Sequence, residues 1–161
     1  MLLVLGFVAL GLLINSCKKD NSDTVAYFLT AGTWQLASVQ TEYLLGNNSL
    51  HKDTLNLTCN LNQVFQFNSN NTCTLSNYHC IAQTSSGSWQ LGPDNLSLQT
   101  TMSAKDTLKA AVVTVKAFDN AVIQNLGQYS LVLKTGDTSP YYLATTARKI
   151  TTYGFVHVLN N

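Results

Sequence analysis

The stretch Phe65-Gln66-Phe67-Asn68-Ser69-Asn70-Asn71-Thr72-Cys73-Thr74-Leu75 decides the fold. On both sides of Ser69-Asn70-Asn71 apolar side chains alternate with polar ones, the period of a strand with one buried face. Asparagine accepts the positive φ of a tight turn, so the two runs read as an antiparallel hairpin. Partners across that turn have numbers summing to about 140, which sets Phe67 opposite Cys73 and Phe65 opposite Leu75.

The same period extends in both directions from the hairpin. Upstream, Trp34, Leu36 and Ser38 share one face, opposite Gln35, Ala37 and Val39, and carry a strand into the core through Trp34. Downstream, Trp89 and Leu91 alternate, Gly92-Pro93-Asp94-Asn95 turns the chain, and Leu96 and Leu98 return it. Val113 with Val115, Ile123, Leu131 with Leu133, and Tyr153 with Phe155 continue at strand spacing, broken at Asp119-Asn120, Gly127 and Gly136 to Pro140. Residues 100–109 carry little pattern and read as a long loop. The whole is all-β, with eight to ten short antiparallel strands, and a meander of hairpins favours a closed barrel over a sandwich. Ahead of it, Val25, Phe28 and Leu29 fall at i, i+3, i+4 behind Asp23 or Thr24 as N-cap, with Gly32 beyond. This predicts one short helix covering an open end of the barrel.

The chain opens on a different kind of segment. Met1 to Ile14 is apolar apart from two glycines, too short for a spanning helix of about 20 residues but within the roughly 7–15 of a signal-peptide core. Ile14-Asn15-Ser16-Cys17 resembles a lipobox, with an aliphatic residue three before the cysteine and a small one just before it. The resemblance implies cleavage before Cys17, a diacylglyceryl thioether on its sulfur and further acylation of the new N-terminus. Two or three acyl chains, at roughly 0.8 kcal/mol per buried methylene, make a stable anchor. Lys18 behind the cysteine resembles signals for outer-membrane delivery. The domain boundaries that follow are a signal peptide over 1–16, a lipidated tether over 17–23 and one barrel domain over 24–161, lipid-anchored in the cell envelope.

With Cys17 lipidated, Cys59, Cys73 and Cys80 remain, in a compartment that permits a disulfide. Extending the hairpin ladder brings Cys80 opposite residue 60, so Cys59 lies within one position of it and can meet the Cα separation of about 4.4–6.8 Å that a disulfide needs. Cys73 and Cys80, on one strand, would stand roughly 23 Å apart. The register therefore pairs Cys59 with Cys80 and leaves Cys73 on the inward face beside Leu75 as a buried, inert thiol.

Composition excludes several functions. Charged residues make up 11% of the chain and the net charge is +1, so polarity comes from Asn, Gln, Ser and Thr, which suit strands and turns better than long solvated helices. The nine Lys and Arg are scattered, with Lys18-Lys19 and Arg148-Lys149 as the adjacent pairs. No stripe tracks phosphates, and nucleic-acid binding is not expected. His51, His79 and His157 lie far apart and read as loop or rim residues rather than metal ligands. Glu42 is the sole glutamate, and the chain has no phosphate loop, nucleophile elbow or His-Glu-x-x-His run. Neither an enzyme nor a cofactor is expected. Asp23-Thr24-Val25, Asp53-Thr54-Leu55 and Asp106-Thr107-Leu108 resemble an O-glycosylation sequon of some Gram-negative envelopes, the last two in stretches that read as loops.

Gly32-Thr33-Trp34-Gln35-Leu36, Cys59, Phe65 to Thr72, Cys80, Gly87-Ser88-Trp89-Gln90-Leu91, Ile123 and Leu131-Val132-Leu133 resemble, in order and spacing, the small lipocalin-like domains of Gram-negative envelope lipoproteins. Where those domains usually show Asp-Gly-Thr-Tyr, this chain has Asn70-Asn71-Thr72-Cys73, which keeps the turn and removes bulk from the interior. The resemblance implies a lipocalin-like barrel and brings no catalytic residues.

An eight-stranded barrel has an interior just wide enough for its own side chains or one small ligand. Trp34, Phe65, Phe67, Trp89, Tyr153 and Phe155 are the inward candidates to line a site for a small apolar or amphipathic molecule, with Cys73 and Ser38 as gaps among them. The alternative has the aromatics fill the core and the loops meet another envelope protein or a glycan. Tyr141-Tyr142, beside Pro140, is the candidate surface contact, and only one of the two can be buried.

Overall fold

The computed structural model describes residues 21–55, 58–108 and 111–158. The apolar run, Cys17 and the first residues of the tether lie outside the described residues. One helix, α1 (Asn21–Thr30), precedes eleven strands: β1 (Thr33–Leu45), β2 (Asn48–Leu55), β3 (Val64–Phe67), β4 (Thr72–Ser76), β5 (Thr84–Leu91), β6 (Ser97–Thr100), β7 (Ser103–Leu108), β8 (Ala111–Lys116), β9 (Ala121–Leu126), β10 (Ser130–Gly136) and β11 (Ala147–Val158). Eight of them form a closed antiparallel barrel in the order β1-β3-β4-β5-β6-β9-β10-β11, because β11 returns to pair with β1. The other three are outside that count. β2 adds to the upper half of β1, and β7–β8 is a separate hairpin inserted between β6 and β9.

The opening hairpin forms as its sequence dictates. Phe67 faces Cys73 and Phe65 faces Leu75. Asn71 takes φ 64°, the left-handed conformation that the loop needs, and Asn68 and Asn70 bond Thr72 to close it. The ladder ends at Val64 opposite Ser76. Beyond it Asn77 turns left-handed at φ 58° into a single 3-10 turn, Tyr78–Cys80. Cys80 therefore reaches Cys59 from a turn rather than by continuing the ladder. The disulfide Cys59–Cys80 is present, with a Cα separation of 5.7 Å.

Strand β1 departs from simple alternation. Its pairing with β11 skips Ala37, passing from Leu36 opposite Phe155 to Ser38 opposite Gly154. This bulge reverses which face points inward. Below it Trp34 is buried; above it Val39 and Thr41 are buried while Ser38 is exposed. Ser38 is thus not a small gap inside the barrel, and Val39 does not lie on the outer face. The bulge also marks where β1 changes partner on its other edge, from β3 (Thr33 to Gln35) to β2 (Val39 to Leu45).

Residues 103–108, expected to be a loop, form β7 and pair with β8 from Ser103 opposite Lys116 to Leu108 opposite Ala111. The alternation is hidden because its inward residue is the small Ala104, 2% exposed. Asp53-Thr54-Leu55 and Asp106-Thr107-Leu108 consequently lie on strands β2 and β7, not in loops. Helix α1 starts at Asn21, inside the stretch read as tether, and closes the lower end of the barrel. Leu29 is fully buried, Val25 and Ala26 pack on the core, and the Leu29 carbonyl accepts the Trp34 Nε1–H at 2.9 Å.

The Cys59–Cys80 bridge closes a loop of 21 residues around the 3-10 turn. Loop-closure entropy values such a crosslink at about 3 kcal/mol. A Cys59→Ala, Cys80→Ala double variant should lose about that much in equilibrium urea unfolding; a loss under about 1 kcal/mol would mean that the turn is held without it.

Candidate functional site

The six aromatic residues expected to point inward all do so, each between 0 and 6% exposed. They meet one another and two rings that the alternation did not indicate. Phe118 packs edge-on against Phe65 at 5.1 Å, Tyr153 at 4.9 Å and Phe155 at 6.2 Å, and against Tyr78 at 6.2 Å. Phe65 meets Phe155 at 5.2 Å, and Phe67 meets Trp89 at 5.9 Å. Such edge-to-face pairs are the favoured packing of aromatic quadrupoles. Leu75, Leu98, Met102, Leu131, Leu133 and Cys73 fill the spaces between, all fully buried. Both indole N–H groups are satisfied, Trp34 by Leu29 and Trp89 by the Asn68 carbonyl at 2.9 Å.

Phe118 comes from the connection between β8 and β9 and has φ 58°, a conformation costly for a bulky side chain. Three hydrogen bonds impose it. The Thr100 N–H donates to the Phe118 carbonyl, the Thr100 hydroxyl to the Ala117 carbonyl, and the Ala117 N–H to the Met102 carbonyl. The ring is thereby pushed into the middle of the barrel as a plug. A turn residue carries no strand alternation, which is why the sequence pattern does not reveal it.

A polar cluster sits above this plug. His79 Nδ1 lies 2.9 Å from Asp106 Oδ1 and His79 Nε2 lies 3.4 Å from the Tyr153 hydroxyl. The Tyr78 ring stacks on the imidazole at 3.9 Å. His79 takes φ 49° and Cys80 φ 63°. Asp106 belongs to β7, so the cluster fastens the inserted hairpin to the barrel. Gln83 does the same as a mimic of a strand: its amide donates to the Lys105 carbonyl at 2.7 Å and accepts the Lys105 N–H at 2.6 Å. His79 is the loop residue expected, in the turn between β4 and β5, whereas His157 is not a loop residue. His157 is on β11, stacked over Trp34 at 5.0 Å, with both ring nitrogens buried and, among the described residues, without a hydrogen-bond partner. Its ring occupies the space where a side chain at Gly32 would be, 2.1 Å from the position of a Cβ, which explains the glycine. His51, on β2, binds Asp53 at 2.6 Å at the surface. Among the described residues no three His, Cys, Asp or Glu converge as metal ligands.

Burial sets the titration of three groups. It pushes the Cys73 thiol up to about 11, in keeping with an inert cysteine. It raises both Tyr78 and Tyr153, and the negative charge of Asp106 adds to each.

Clefts open on the outside of the barrel. One of about 330 Å3 lies where β1 leaves β3 for β2, beside Leu36, Ser38, Leu55, Leu61 and Gln63. Another, of about 360 Å3, lies between α1 and the β9–β10 turn, and a shallow one of about 500 Å3 lies beside Pro140 to Leu143. None of these three is lined by Trp34, Phe65, Phe67, Trp89, Tyr153 or Phe155. A fourth cleft, of about 380 Å3, lies beside Ser88, Gln90, Gln99, Thr101 and Lys116 on the outer wall and does have Trp89 in its lining, the one candidate of the six that reaches any of the four. The loop 137–146 is braced from below. Arg148 stacks on Tyr142 at 3.8 Å and donates to the carbonyls of Asp137, Ser139 and Gly46, while the Tyr142 hydroxyl bonds Asn47. Tyr142 is thus the half-buried member of the pair. Tyr141 is 89% exposed and Leu143 74%.

No protein-family model matches the chain, and no curated protein matches it.

Two expectations follow. Removing the plug with Phe118→Ala should destabilise the fold by about 3–5 kcal/mol, measured by denaturant unfolding, as for large aromatic truncations in a core. Second, the raised groups bind protons in the folded state that the unfolded chain releases from about pH 9 for the thiol and about 10 for the phenols. Stability should therefore be intact below pH 9 and fall as pH rises, by up to about 1.4 kcal/mol per pH unit for each group. Tyr78→Phe should make the decline shallower; an unchanged slope would mean that this phenol titrates normally.

Proposed function

We propose that this protein is a membrane-anchored envelope lipoprotein whose barrel is a closed, non-enzymatic scaffold that meets another envelope component through its outer loops. The observation that carries the reading is the occupied interior. Six strand aromatics, Phe118 and Tyr78 fill it, each no more than 6% exposed. Enclosing a small molecule needs a cavity of about 300 Å3 or more. A small apolar or amphipathic ligand inside this barrel would have to displace Phe118 against the three hydrogen bonds that hold its backbone. The outer surface needs no such rearrangement. The arginine-braced loop holds Tyr141 and Leu143 out into solvent, and a rigid exposed aromatic beside an apolar neighbour is the kind of anchor on which interfaces depend.

Anchoring by acyl chains on Cys17 is supported by Ile14-Asn15-Ser16-Cys17 and by the disulfide, which suits an oxidising compartment beyond the inner membrane. The scattered, nearly balanced charge gives no support to nucleic acid as a partner.

Two measurements in the native host test the reading. Cys17→Ser should move the protein from the membrane fraction to the soluble fraction with its thermal unfolding unchanged, and a variant that stayed membrane-bound would refute the anchor. A photo-crosslinking residue at Tyr141 should capture a discrete adduct, whereas one at the exposed Gln66 on the β3 wall should not. If instead native mass spectrometry finds a stoichiometric small molecule in the protein and Tyr141 yields no adduct, the scaffold reading fails.

A further inference from the structure

We propose that the barrel rests on the bilayer through the end from which α1 departs, with Tyr27 and Tyr129 at the level of the lipid headgroups. The inference rests on the anchor at Cys17 and adds to it an orientation and a contact surface.

The first observation is reach. Helix α1 begins at Asn21, four residues after Cys17. Four extended residues span at most about 14 Å, so an acylated Cys17 keeps this end of the domain next to the membrane whatever path the link takes. β1 and β11 run from this end, where Thr33 pairs with Val158, to the far end, where Leu45 pairs with Ala147. Twelve steps at about 3.3 Å put the braced loop and its Tyr141 on the order of 40 Å of strand away.

The second observation is the distribution of charge. The first turn of α1 holds Asp23, and Lys18, Lys19 and Asp20 precede it, two charges of each sign; beyond them the three segments that meet there, residues 24–36, 120–133 and 150–158, contain no Lys, Arg, Asp or Glu. Glu42, Lys52, Asp53, Lys134, Asp137, Arg148 and Lys149 all belong to the upper parts of β1, β2, β10 and β11 or to the loop above them. The lower end does hold Asp94, in the β5–β6 turn, but β5 stands across the barrel from β11 and the carboxylate is turned onto the N–H groups of Leu96 and Ser97. Bringing an uncharged surface against headgroups avoids the cost of stripping water from ions.

The third observation is what that surface shows instead. Tyr27 on α1 is 68% exposed and Tyr129 in the β9–β10 turn is 61% exposed. Phe28, Ala31, Gln128 and His157 line the cleft between α1 and that turn, and the His157 N–H donates to the Tyr129 carbonyl at 3.1 Å, fixing the turn. Outward-facing Val156 adds apolar area beside it. Tyrosine, with an apolar ring and a polar tip, is the residue that settles at a bilayer interface. Lys18 and Lys19 in the link are offset by Asp20 and Asp23, so this end carries no net positive charge and the contact is apolar and interfacial, not an attraction to anionic lipid.

The test uses acylated full-length protein, purified from host membranes and placed in phosphatidylcholine nanodiscs containing brominated lipid. A fluorophore is attached at Gln128→Cys, at Ala31→Cys or, as the distal control, at Asn48→Cys. Cys73 is buried, Cys59 and Cys80 are bonded and Cys17 is acylated, so only the new thiol reacts. Labels at 31 and 128 should be quenched at least twofold more than the label at 48, equally at low salt and at about 0.5 M salt. Tyr27→Ser with Tyr129→Ser should bring the label at 31 down toward the distal value while the protein stays in the discs. Equal quenching at all three positions in disc-bound protein, or quenching abolished by salt, overturns this orientation and leaves the anchor standing. Protein that fails to enter the discs overturns both.

Discussion

Everything in this fold depends on the meeting of its first and last strands. Twelve residue pairs join β1 to β11, and without them the remaining strands would be an open sheet with two long edges. Closure is also what makes the bulge at Ala37 necessary. β1 is thirteen residues long and must satisfy β11 along one edge while serving β3 and then β2 along the other. An extra residue at the handover reverses the inward face, so that Trp34 plugs the lower barrel and Val39 and Thr41 continue the core above it. The Thr41 and Thr151 hydroxyls then pair at 3.0 Å where the interior turns polar.

A closed barrel of eight strands leaves a choice between ligand and side chains, and here the side chains win through elements that are not part of the barrel. α1 occupies one end. The β7–β8 insertion contributes Met102, Ala104, Ala117 and Phe118 to the core from a hairpin lying outside the ring of strands. The Asp106–His79 contact and the Gln83 amide hold that hairpin in place, and the disulfide holds the turn that carries His79. The filled interior is therefore the result of a chain of polar fastenings as much as of aromatic packing. That is why a strained φ at Phe118 and consecutive left-handed residues at His79 and Cys80 can persist.

The parts of this architecture that sequence reveals are those governed by local periodicity. The hairpin at Ser69-Asn70-Asn71 and the burial of Trp34, Phe65, Phe67, Trp89, Tyr153 and Phe155 follow from a period of two and one turn; the bridge of Cys59 with Cys80 joins the expected partners, but it is made from a left-handed turn outside the hairpin ladder from which the pairing was expected. The hidden parts share a different origin. β7 escapes notice because Ala104 is too small to mark an inward face and Thr107 has no apolar partner at strand spacing. The Ala37 bulge has no signature in Trp34 to Val39, since alternation looks intact on either side of it. His79 and Asp106 are 27 positions apart, and His157 is drawn over Trp34 only by strand closure, so neither contact has a local trace.

The scarcity of charge acquires a structural meaning once its placement is known. A chain with few ionised groups could scatter them evenly for solubility; this one gathers seven of them at one end of its longest strands and leaves the three segments around α1 with none. That end is also where the chain enters from Cys17, through Lys18, Lys19, Asp20 and Asp23, whose charges cancel, and where two tyrosines face outward. Amides and hydroxyls solvate that surface in water, and under the anchoring proposed for Cys17 its scarcity of ions lowers the cost of approaching a bilayer. In the same proposal the charged end, with its stacked Arg148 and projecting Tyr141, is the one turned away from the membrane. The polarity of the molecule along β1 and β11 would thus let the proposed attachment and recognition act at opposite ends of one body whose filled interior takes part in neither.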